Sequence, residues 1–188
     1  MEQTTQNRVD WKIDAQGLLS GCVYIPSPNC NDRPAGAIEL LVIHNISLPP
    51  DEFGGDGVQQ LFTNTLDVTA HPYYPTIAGL KVSAHFFVRR DGQVIQFVSC
   101  LKRAWHAGES SWQGASHCND YSLGIELEGS DAVPFTDVQY VALNHLTLAL
   151  RTAYPIRGIA GHSDIAPQRK TDPGPCFDWV RYLTYCAK

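Results

Sequence analysis

Short apolar runs along the chain predict the strands of a sheet. Residues 39–43 form an apolar run that ends at His44, as expected for a buried strand. Four further strands are predicted, at residues 82–88, 94–98, 122–127 and 159–162. The pair Asp91-Gly92 lies between two of these strands and is a strong signal for a hairpin turn.

Three segments have the periodicity of helices. The first is a short amphipathic stretch at residues 57–65, and the last begins near Phe177. Between them, Thr136 is a good N-cap for a helix that runs to about Tyr154 and is followed by Pro155. Apolar residues cover much of the circumference of this helix, which predicts that it is largely buried: Val138, Val141, Leu143, Leu146, Leu148 and Leu150.

Strands and helices are interleaved, which favours an α/β (α+β) fold with a central mixed sheet flanked by helices. No repeat or linker divides the 188 residues, so we expect one domain spanning residues 1–188. Residues 45–81 are rich in proline and glycine and have little periodic pattern. A connection of this length in a compact domain is usually functional, so it is expected to form a wall or lid of a site.

Composition excludes some classes of protein. A net charge of -5 argues against sequence-independent binding of nucleic acid, which requires a basic face. The chain has neither a membrane-length apolar run nor a basic start followed by an apolar segment, so we expect a cytoplasmic protein without membrane association. The six cysteines are then expected to be free thiols, and a disulfide framework is the alternative.

Three residues are candidates for a metal site by position. His44 ends one apolar strand, and His162 ends another. Asp172 follows ten residues later, in a segment stiffened by Pro173 and Pro175. Two imidazoles and one carboxylate would leave a position open on zinc, as hydrolysis requires. The sequence has no local metal signature, so hydrogen-bonded core histidines remain the alternative.

Two further groups could contribute acid–base chemistry. Glu126 and Glu128 alternate in a predicted strand, so both carboxylates face the same side. One of them beside a metal could act as general base, and a pair of solvated strand glutamates is the alternative. Lys170 could stabilise an oxyanion or be an ordinary exposed cation. A cysteine nucleophile at Cys118 is disfavoured, because His117 is adjacent in sequence and seldom has the required geometry.

Several long stretches of the chain are recognisable together: LVIHNISLPPDEFGG, LFTNTLD, AHPYY, KVSAHFFVRRDGQVIQFV, KRAWHAGESSWQG, CNDYSLGIELEG and GHSDIAPQRKTDPGPCFDW. Through these stretches the chain resembles, from about Ser27 to Trp179, the N-acetylmuramoyl-L-alanine amidase family, which also contains the peptidoglycan recognition proteins. The length of these stretches makes this signal far more specific than a single motif.

The resemblance implies a zinc groove on one face of the sheet and a reaction. By its pattern, His44, His162 and Asp172 bind one zinc ion per chain. Glu126 is then the general base and Lys170 the stabiliser of the oxyanion. The implied reaction is hydrolysis of the amide bond between the lactyl group of (1,6-anhydro-)N-acetylmuramic acid and L-alanine. The resemblance places this reaction in peptidoglycan recycling, and it implies a monomer whose substrate is a small muropeptide.

Substrate contacts are also implied. Asn45, Trp105 and His106 are expected to line the groove. The family pattern has arginines at the positions of Lys81 and His117. Lysine is a point charge and histidine is mostly neutral at pH 7, so both departures weaken a clamp for the carboxylate of the stem peptide.

Two other functions remain open within this resemblance. One is an amidase that acts on polymeric peptidoglycan, as autolysins and phage endolysins do. The other is a peptidoglycan-binding module without activity, which the filled ligand positions disfavour. An unrelated cysteine hydrolase would differ from both by sensitivity to alkylation and insensitivity to chelators.

Overall fold

The computed structural model describes residues 11–186, and a six-stranded mixed sheet forms the centre of the fold. The structure has ten strands in this range: β1 (Val23–Tyr24), β2 (Cys30–Asp32), β3 (Leu40–Ile46), β4 (Phe86–Val88), β5 (Val94–Gln96), β6 (Lys102–Ala104), β7 (Ser111–Trp112), β8 (Ala115–Ser116), β9 (Ser122–Glu128) and β10 (Gly158–Gly161). The central sheet has the order β1-β5-β4-β9-β3-β10, while β2 pairs with β6 and β7 with β8.

Strand directions in the central sheet are mixed. The β4 and β5 strands are antiparallel, as the predicted hairpin at Asp91-Gly92 requires, and Gly92 has a positive φ of 84° in that turn. The other neighbouring pairs are parallel. The predicted strand at 82–88 is shorter than expected, because only its last three residues join β4.

Four α-helices accompany the sheet: α1 (Gly57–Phe62), α2 (Asp137–Ala153), α3 (His162–Ile165) and α4 (Trp179–Cys186). The predicted N-cap of α2 is confirmed. Thr136 Oγ1 accepts from the backbone N–H of Gln139, and the Gln139 side chain accepts from the N–H of Thr136, which is a capping box. Two short 3-10 turns lie at Tyr74–Ile77 and Cys118–Asp120. No helix within residues 11–186 is long and apolar enough to span a bilayer.

The prediction that α2 is largely buried is wrong for three of the six apolar residues on which it was based: Val138, Val141 and Leu148 are exposed. Leu143, Leu146 and Leu150 are fully buried against the sheet and α4. The other face of the helix stays in solvent, and Leu148 there is 63% exposed. The helix covers one face of the sheet, and no layer of the described chain covers its outer face. One of its buried polar contacts is the bond between Thr147 Oγ1 and Tyr182 Oη, at 2.6 Å.

Two predicted strand ends also differ. The β3 strand continues through Ile46, so His44 lies within a strand instead of at its end. The β10 strand ends at Gly161, so His162 is the first residue of α3 instead of the last of a strand. The carboxylate of Asp164 accepts from the N–H of Gly161 at 2.7 Å, which satisfies a free donor at the start of α3.

The expectation of free thiols agrees with the described cysteines. Five of the six cysteines carry free thiols: Cys22, Cys30, Cys100, Cys118 and Cys176.

Candidate functional site

The register of β3 and β9 places a histidine beside a glutamate. His44 and Glu126 are direct neighbours on these parallel strands, and both point to the face of the sheet opposite α2. The next residues toward the N-terminus, Ile43 and Ile125, point to the α2 face and are fully buried there. Because successive side chains of a strand point to opposite faces of the sheet, the polar side chains lie on one face and the apolar core lies on the other.

A second element and a loop complete a cluster with His44. Nδ1 of His44, Nδ1 of His162 and Oδ2 of Asp172 lie 3.0 Å from one another in all three pairs. His162 reaches the cluster because β10 pairs with β3 and ends directly before α3. The loop that carries Asp172 is held by Asn45, whose Nδ2 donates to Asp131 Oδ1 at 2.8 Å and to the carbonyl of Pro173 at 3.0 Å.

The outer nitrogen of each imidazole also has a partner. Nε2 of His162 lies 3.2 Å from the carbonyl oxygen of Ala107, to which it donates. Nε2 of His44 lies 3.0 Å from Nδ1 of His106. These contacts orient both Nδ1 atoms toward the same point as the carboxylate. Two imidazole nitrogens and one carboxylate oxygen, converging and mostly buried, suit zinc and leave a coordination position open.

The protonation states of the cluster suit a cation. Burial lowers the pKa of His44 to about 4, so its imidazole is neutral at pH 7. Burial of Asp172 acts to raise the pKa of its carboxyl, but hydrogen bonds with His162 and His44 outweigh it and hold that pKa below its usual range. A neutral imidazole and an ionised carboxylate are the forms that bind a metal ion.

Glu126 lies beside the cluster and is 9% exposed. Its Oε2 is buried without a hydrogen-bond partner among the described residues. Burial, with a smaller contribution from the charge of Asp172, raises the pKa of this carboxyl well above its usual value, and Lys170 opposes the shift. A buried carboxyl without a partner, facing an open groove, is poised to exchange a proton with a bound molecule.

The alternative of two solvated strand glutamates is wrong. Glu128 is 3% exposed and holds two loops instead of facing water. One of its oxygens accepts from the N–H of Gly54 at 2.5 Å, and the other accepts from the N–H of Arg90 at 2.8 Å. Glu126 and Glu128 share a face, as expected, but only Glu126 lines the groove.

The groove has a volume of about 260 Å³. Its floor contains the cluster and Glu126, and Lys170 and Trp105 lie in its walls. The indole N–H of Trp105 donates to Asn31 Oδ1 at 2.8 Å, which fixes the ring. Much of the opposite wall comes from the segment 45–81, as expected from its composition: Asn45, Ile46, Ser47, Leu48, Leu61, Phe62, Tyr73, Ile77 and Leu80.

The remaining candidates for substrate contact differ in whether they line the main groove. Lys81 lines a smaller pocket of about 120 Å³ that shares Leu61, Ile77 and Leu80 with the main groove. His117 is exposed in a left-handed conformation after the β7–β8 hairpin, and it lines neither of these two cavities. His106 lines the groove, but it is only 9% exposed and both of its ring nitrogens have protein partners.

The sequence offered no signal for some residues of this site. Tyr73 lies in an aperiodic segment, and its place in the wall depends on how that segment folds. Ser122 bonds His106 from the start of β9, a contact across 16 residues. Gly124 could have been noticed, because a glycine within a strand often marks the close approach of another group.

A cysteine hydrolase has no support in the geometry. The thiol of Cys118 is buried and lies 3.2 Å from the hydroxyl of Tyr121. Asp120, the nearby carboxylate that could orient a catalytic histidine, forms an ion pair with Arg103 instead. His117 is exposed on the preceding residue, so these side chains do not form a nucleophile–base pair.

Comparison with known proteins identifies the family of the chain. The family model described as N-acetylmuramoyl-L-alanine amidase matches residues 34–175. The chain belongs to this amidase family, which defines its class as a hydrolase of an amide bond. Its relatives within the family include 1,6-anhydro-N-acetylmuramyl-L-alanine amidase AmpD of Escherichia coli strain K12, which is 53% identical over 176 residues, or 92% of this chain and 96% of the relative. AmpD of Haemophilus influenzae is 50% identical over 90% of this chain and 94% of the relative.

Solved structures show the same fold. A crystal structure of a selenomethionine AmpD derivative superimposes with a TM-score of 0.88 at 54% identity, covering 90% of this chain and 97% of that one. A complex of the amidase AmiD from Escherichia coli with anhydro-N-acetylmuramic acid-L-Ala-D-γ-Glu-L-Lys has a TM-score of 0.58 at 30% identity, over 84% of this chain and 66% of that one. The predicted mixed sheet flanked by helices is therefore confirmed.

Proposed function

We propose that this chain is a zinc-dependent amidase that hydrolyses the bond between the lactyl group of 1,6-anhydro-N-acetylmuramic acid and L-alanine of the stem peptide. We place it in the recycling of cell-wall fragments in the cytoplasm, as a monomer with one zinc ion. One observation carries the proposal. Three metal-binding atoms lie 3.0 Å apart beside a buried carboxyl without a partner, at the floor of a groove.

The zinc ion would be held by His44, His162 and Asp172. Their converging Nδ1, Nδ1 and Oδ2 atoms supply a donor set typical of hydrolytic zinc. When bound, the ion supplies Lewis-acid polarisation of the scissile carbonyl and of the attacking water. The backbone carbonyl of Ala107 and the ring of His106 hold the two imidazoles in place.

Proton transfer falls to Glu126. Its carboxylate takes a proton from the attacking water and then delivers it to the nitrogen of L-alanine as the amine leaves. The raised pKa of the buried carboxyl suits both steps. A group whose pKa lies closer to neutral than that of an ordinary carboxyl can both accept and release a proton with a smaller free-energy penalty. Lys170 lies in a wall of the groove, where its ammonium would stabilise negative charge on the carbonyl oxygen.

Substrate binding would use the walls of the groove. Trp105 presents a fixed indole ring, which suits the face of a sugar. Asn45 borders the cluster, but its amide N–H groups hold the Asp172 loop, so contact with substrate would use its carbonyl. Lys81 would meet the far carboxylate of the stem peptide as a point charge, with His117 as a hydrogen-bonding neighbour, and the two would not form a bidentate clamp. The wall formed by 45–81 would enclose the peptide.

The substrate class is supported by relatives at two levels of identity. AmpD relatives above 50% identity over nine-tenths of this chain are named for the anhydro-muramyl substrate. The solved structure of AmiD is a complex with an anhydro-muramyl tripeptide, which is named as its substrate. An endolysin of Enterobacteria phage K11 is 32% identical over only 55% of this chain, which is weaker support for a polymer substrate.

Hydrolysis of anhydro-muramyl tripeptide tests the proposal, with product masses measured by mass spectrometry. We expect intact tripeptide and anhydro-sugar, loss of turnover on chelation, and recovery with zinc. Intact sacculi serve as the second substrate. Faster release from sacculi than from the soluble fragment would favour a wall-degrading amidase. The absence of tripeptide from a zinc-loaded sample would leave a binding module as the better function.

A further inference from the structure

We propose that Ser122 and His106 are positioning residues that fix the tautomer of His44, so that its Nδ1 presents a lone pair to a metal ion. The inference rests on the proposed function, because it concerns the metal of the same site. It assigns a role to the serine that starts β9 and a different role to His106, which the sequence places among substrate contacts.

The direction of the hydrogen bonds follows from Ser122. Its Oγ lies 2.6 Å from the carbonyl oxygen of Cys118, which can only accept, so the single hydroxyl proton is used there. The same Oγ lies 3.2 Å from Nε2 of His106. This second contact therefore requires a proton on Nε2 of His106, which donates to the serine oxygen.

The donation from His106 determines the state of His44. A neutral imidazole that donates from Nε2 accepts at Nδ1, and Nδ1 of His106 lies 3.0 Å from Nε2 of His44. His44 must therefore carry its proton on Nε2, which leaves the lone pair on Nδ1 facing His162 and Asp172.

The backbone is built to hold the His106 ring against the sheet. A methyl group at Gly124 would lie 2.5 Å from Cγ of His106, so only glycine leaves space for the ring there. Oδ1 of Asn119 accepts from the N–H groups of His106 and Ala107, at 3.2 and 2.8 Å. The ring is thus fixed from below by Gly124 and along the chain by Asn119.

One short segment orients both imidazoles of the cluster. His106 accepts from Nε2 of His44, and the next residue, Ala107, accepts from Nε2 of His162. Arg169 also donates to the carbonyl of Ala107, at 2.7 Å, which holds that oxygen in place. Partners of this kind around metal-binding histidines affect metal affinity by about 10- to 100-fold.

Zinc affinity in Ser122→Ala, measured by competition with a chromophoric chelator, tests the proposal. We expect the dissociation constant for zinc to rise by about 10- to 100-fold. Ser27→Ala is the matched control, because Ser27 is also buried and its hydroxyl also donates to a backbone carbonyl, that of Phe62 at 2.5 Å. Equal zinc affinity in the two variants would overturn the proposal.

Two variants of His106 give a second measurement that does not depend on Ser122. Oδ1 of an asparagine can take the place of the ring Nδ1 as acceptor, whereas leucine provides none. We therefore expect His106→Asn to retain most of the zinc affinity that His106→Leu loses. Equal losses in both variants would show that the ring only fills space and would overturn the proposal.

Nitrogen-15 NMR of the histidines in the zinc-loaded protein reads the tautomers directly. We expect protons on Nε2 of both His44 and His106, and a proton on Nδ1 of His106 would contradict the proposal. Neither zinc affinity nor the NMR spectrum depends on turnover. A protein that binds zinc in this way but releases no tripeptide would refute the proposed function and leave this inference standing.

Discussion

The two faces of β9 have different roles, although alternate residues of the same strand form them. On the face toward α2, Leu123, Ile125 and Leu127 are fully buried among apolar side chains. On the other face every side chain has a specific position or partner. Ser122 bonds His106, and Gly124 gives the His106 ring its space. The Glu126 carboxyl faces the groove, and the Glu128 carboxylate ties two loops.

The difference shows how burial can serve stability on one face and reactivity on the other. Burial of an apolar side chain stabilises the fold in proportion to the area removed from water. Burial of Glu126 instead leaves Oε2 without a partner and raises the pKa of the carboxyl, which favours chemistry at the expense of stability. Substitutions on the two faces should therefore separate activity from stability.

The largest expected effect is on activity, in Glu126→Gln. Loss of the base should lower kcat by about 10²- to 10⁴-fold, because an amide cannot accept the proton. Stability should not fall, since the neutral amide is easier to bury than a carboxylate. Turnover of anhydro-muramyl tripeptide and urea unfolding measure the two quantities.

Glu128→Gln is the matched contrast on the same face. The amide offers one acceptor where the structure uses two, so one backbone N–H, of Gly54 or Arg90, loses its partner. We expect a loss of about 1–3 kcal/mol in the free energy of unfolding. A large loss of stability in Glu126→Gln with none in Glu128→Gln would break the distinction between the two carboxyls.

On the core face, Leu127→Ala should destabilise the fold by about 2–5 kcal/mol through lost burial and the cavity it leaves. Because the side chain points away from the groove, kcat of the folded fraction should change little. Urea unfolding measures the stability, and turnover at temperatures and urea concentrations below the unfolding transition measures kcat. A drop in kcat comparable to that of Glu126→Gln would show that the two faces are not separable.

The features of the fold that depend on local sequence could be predicted. The turn at Asp91-Gly92, the cap at Thr136 and the alternation in β9 each depend on a few neighbouring residues, and all three agree with the structure. The start of α3 at His162 was missed, because it depends on the carboxylate of Asp164 bonding back to the preceding glycine.

The supporting contacts of the site could not be predicted, because they join distant parts of the chain. His106 reaches His44 across 62 residues and Ser122 across 16. No periodic pattern encodes which ring nitrogen carries a proton. The proposed metal and catalytic residues came from family resemblance, since spacing alone left core histidines as an alternative. The structure brings His44, His162 and Asp172 together.

A smaller, pH-dependent effect is expected at His85, behind the site. Burial, and then the charge of Arg33, lowers the pKa of His85 to about 3, while in the unfolded chain it is about 6.5. The folded state therefore resists protonation that the unfolded state accepts. His85 should cost stability as pH falls from 6.5 toward 3, by up to about 1.4 kcal/mol per pH unit.

The variant His85→Asn isolates this contribution. Its Oδ1 can still accept from the N–H of Gly124, which bonds Nδ1 of His85 at 3.0 Å, but it does not titrate. We expect the free energy of unfolding to fall less steeply with decreasing pH in this variant than in the parent, between pH 6.5 and 4. Parallel slopes would mean that His85 does not stay neutral when folded.

The smallest effect is expected on the outer face of α2, where the sequence pattern predicted burial. Leu148 is 63% exposed, so its replacement by a polar residue removes little buried area. Leu148→Gln should change the free energy of unfolding by less than about 0.5 kcal/mol, the range of ordinary surface substitutions. Leu146→Ala, on the buried face of the same helix, is the control and should cost about 2–5 kcal/mol. A loss at Leu148 approaching that at Leu146 would mean that another surface covers this face in solution, and the contrast between exposed and buried apolar positions on α2 would then fail.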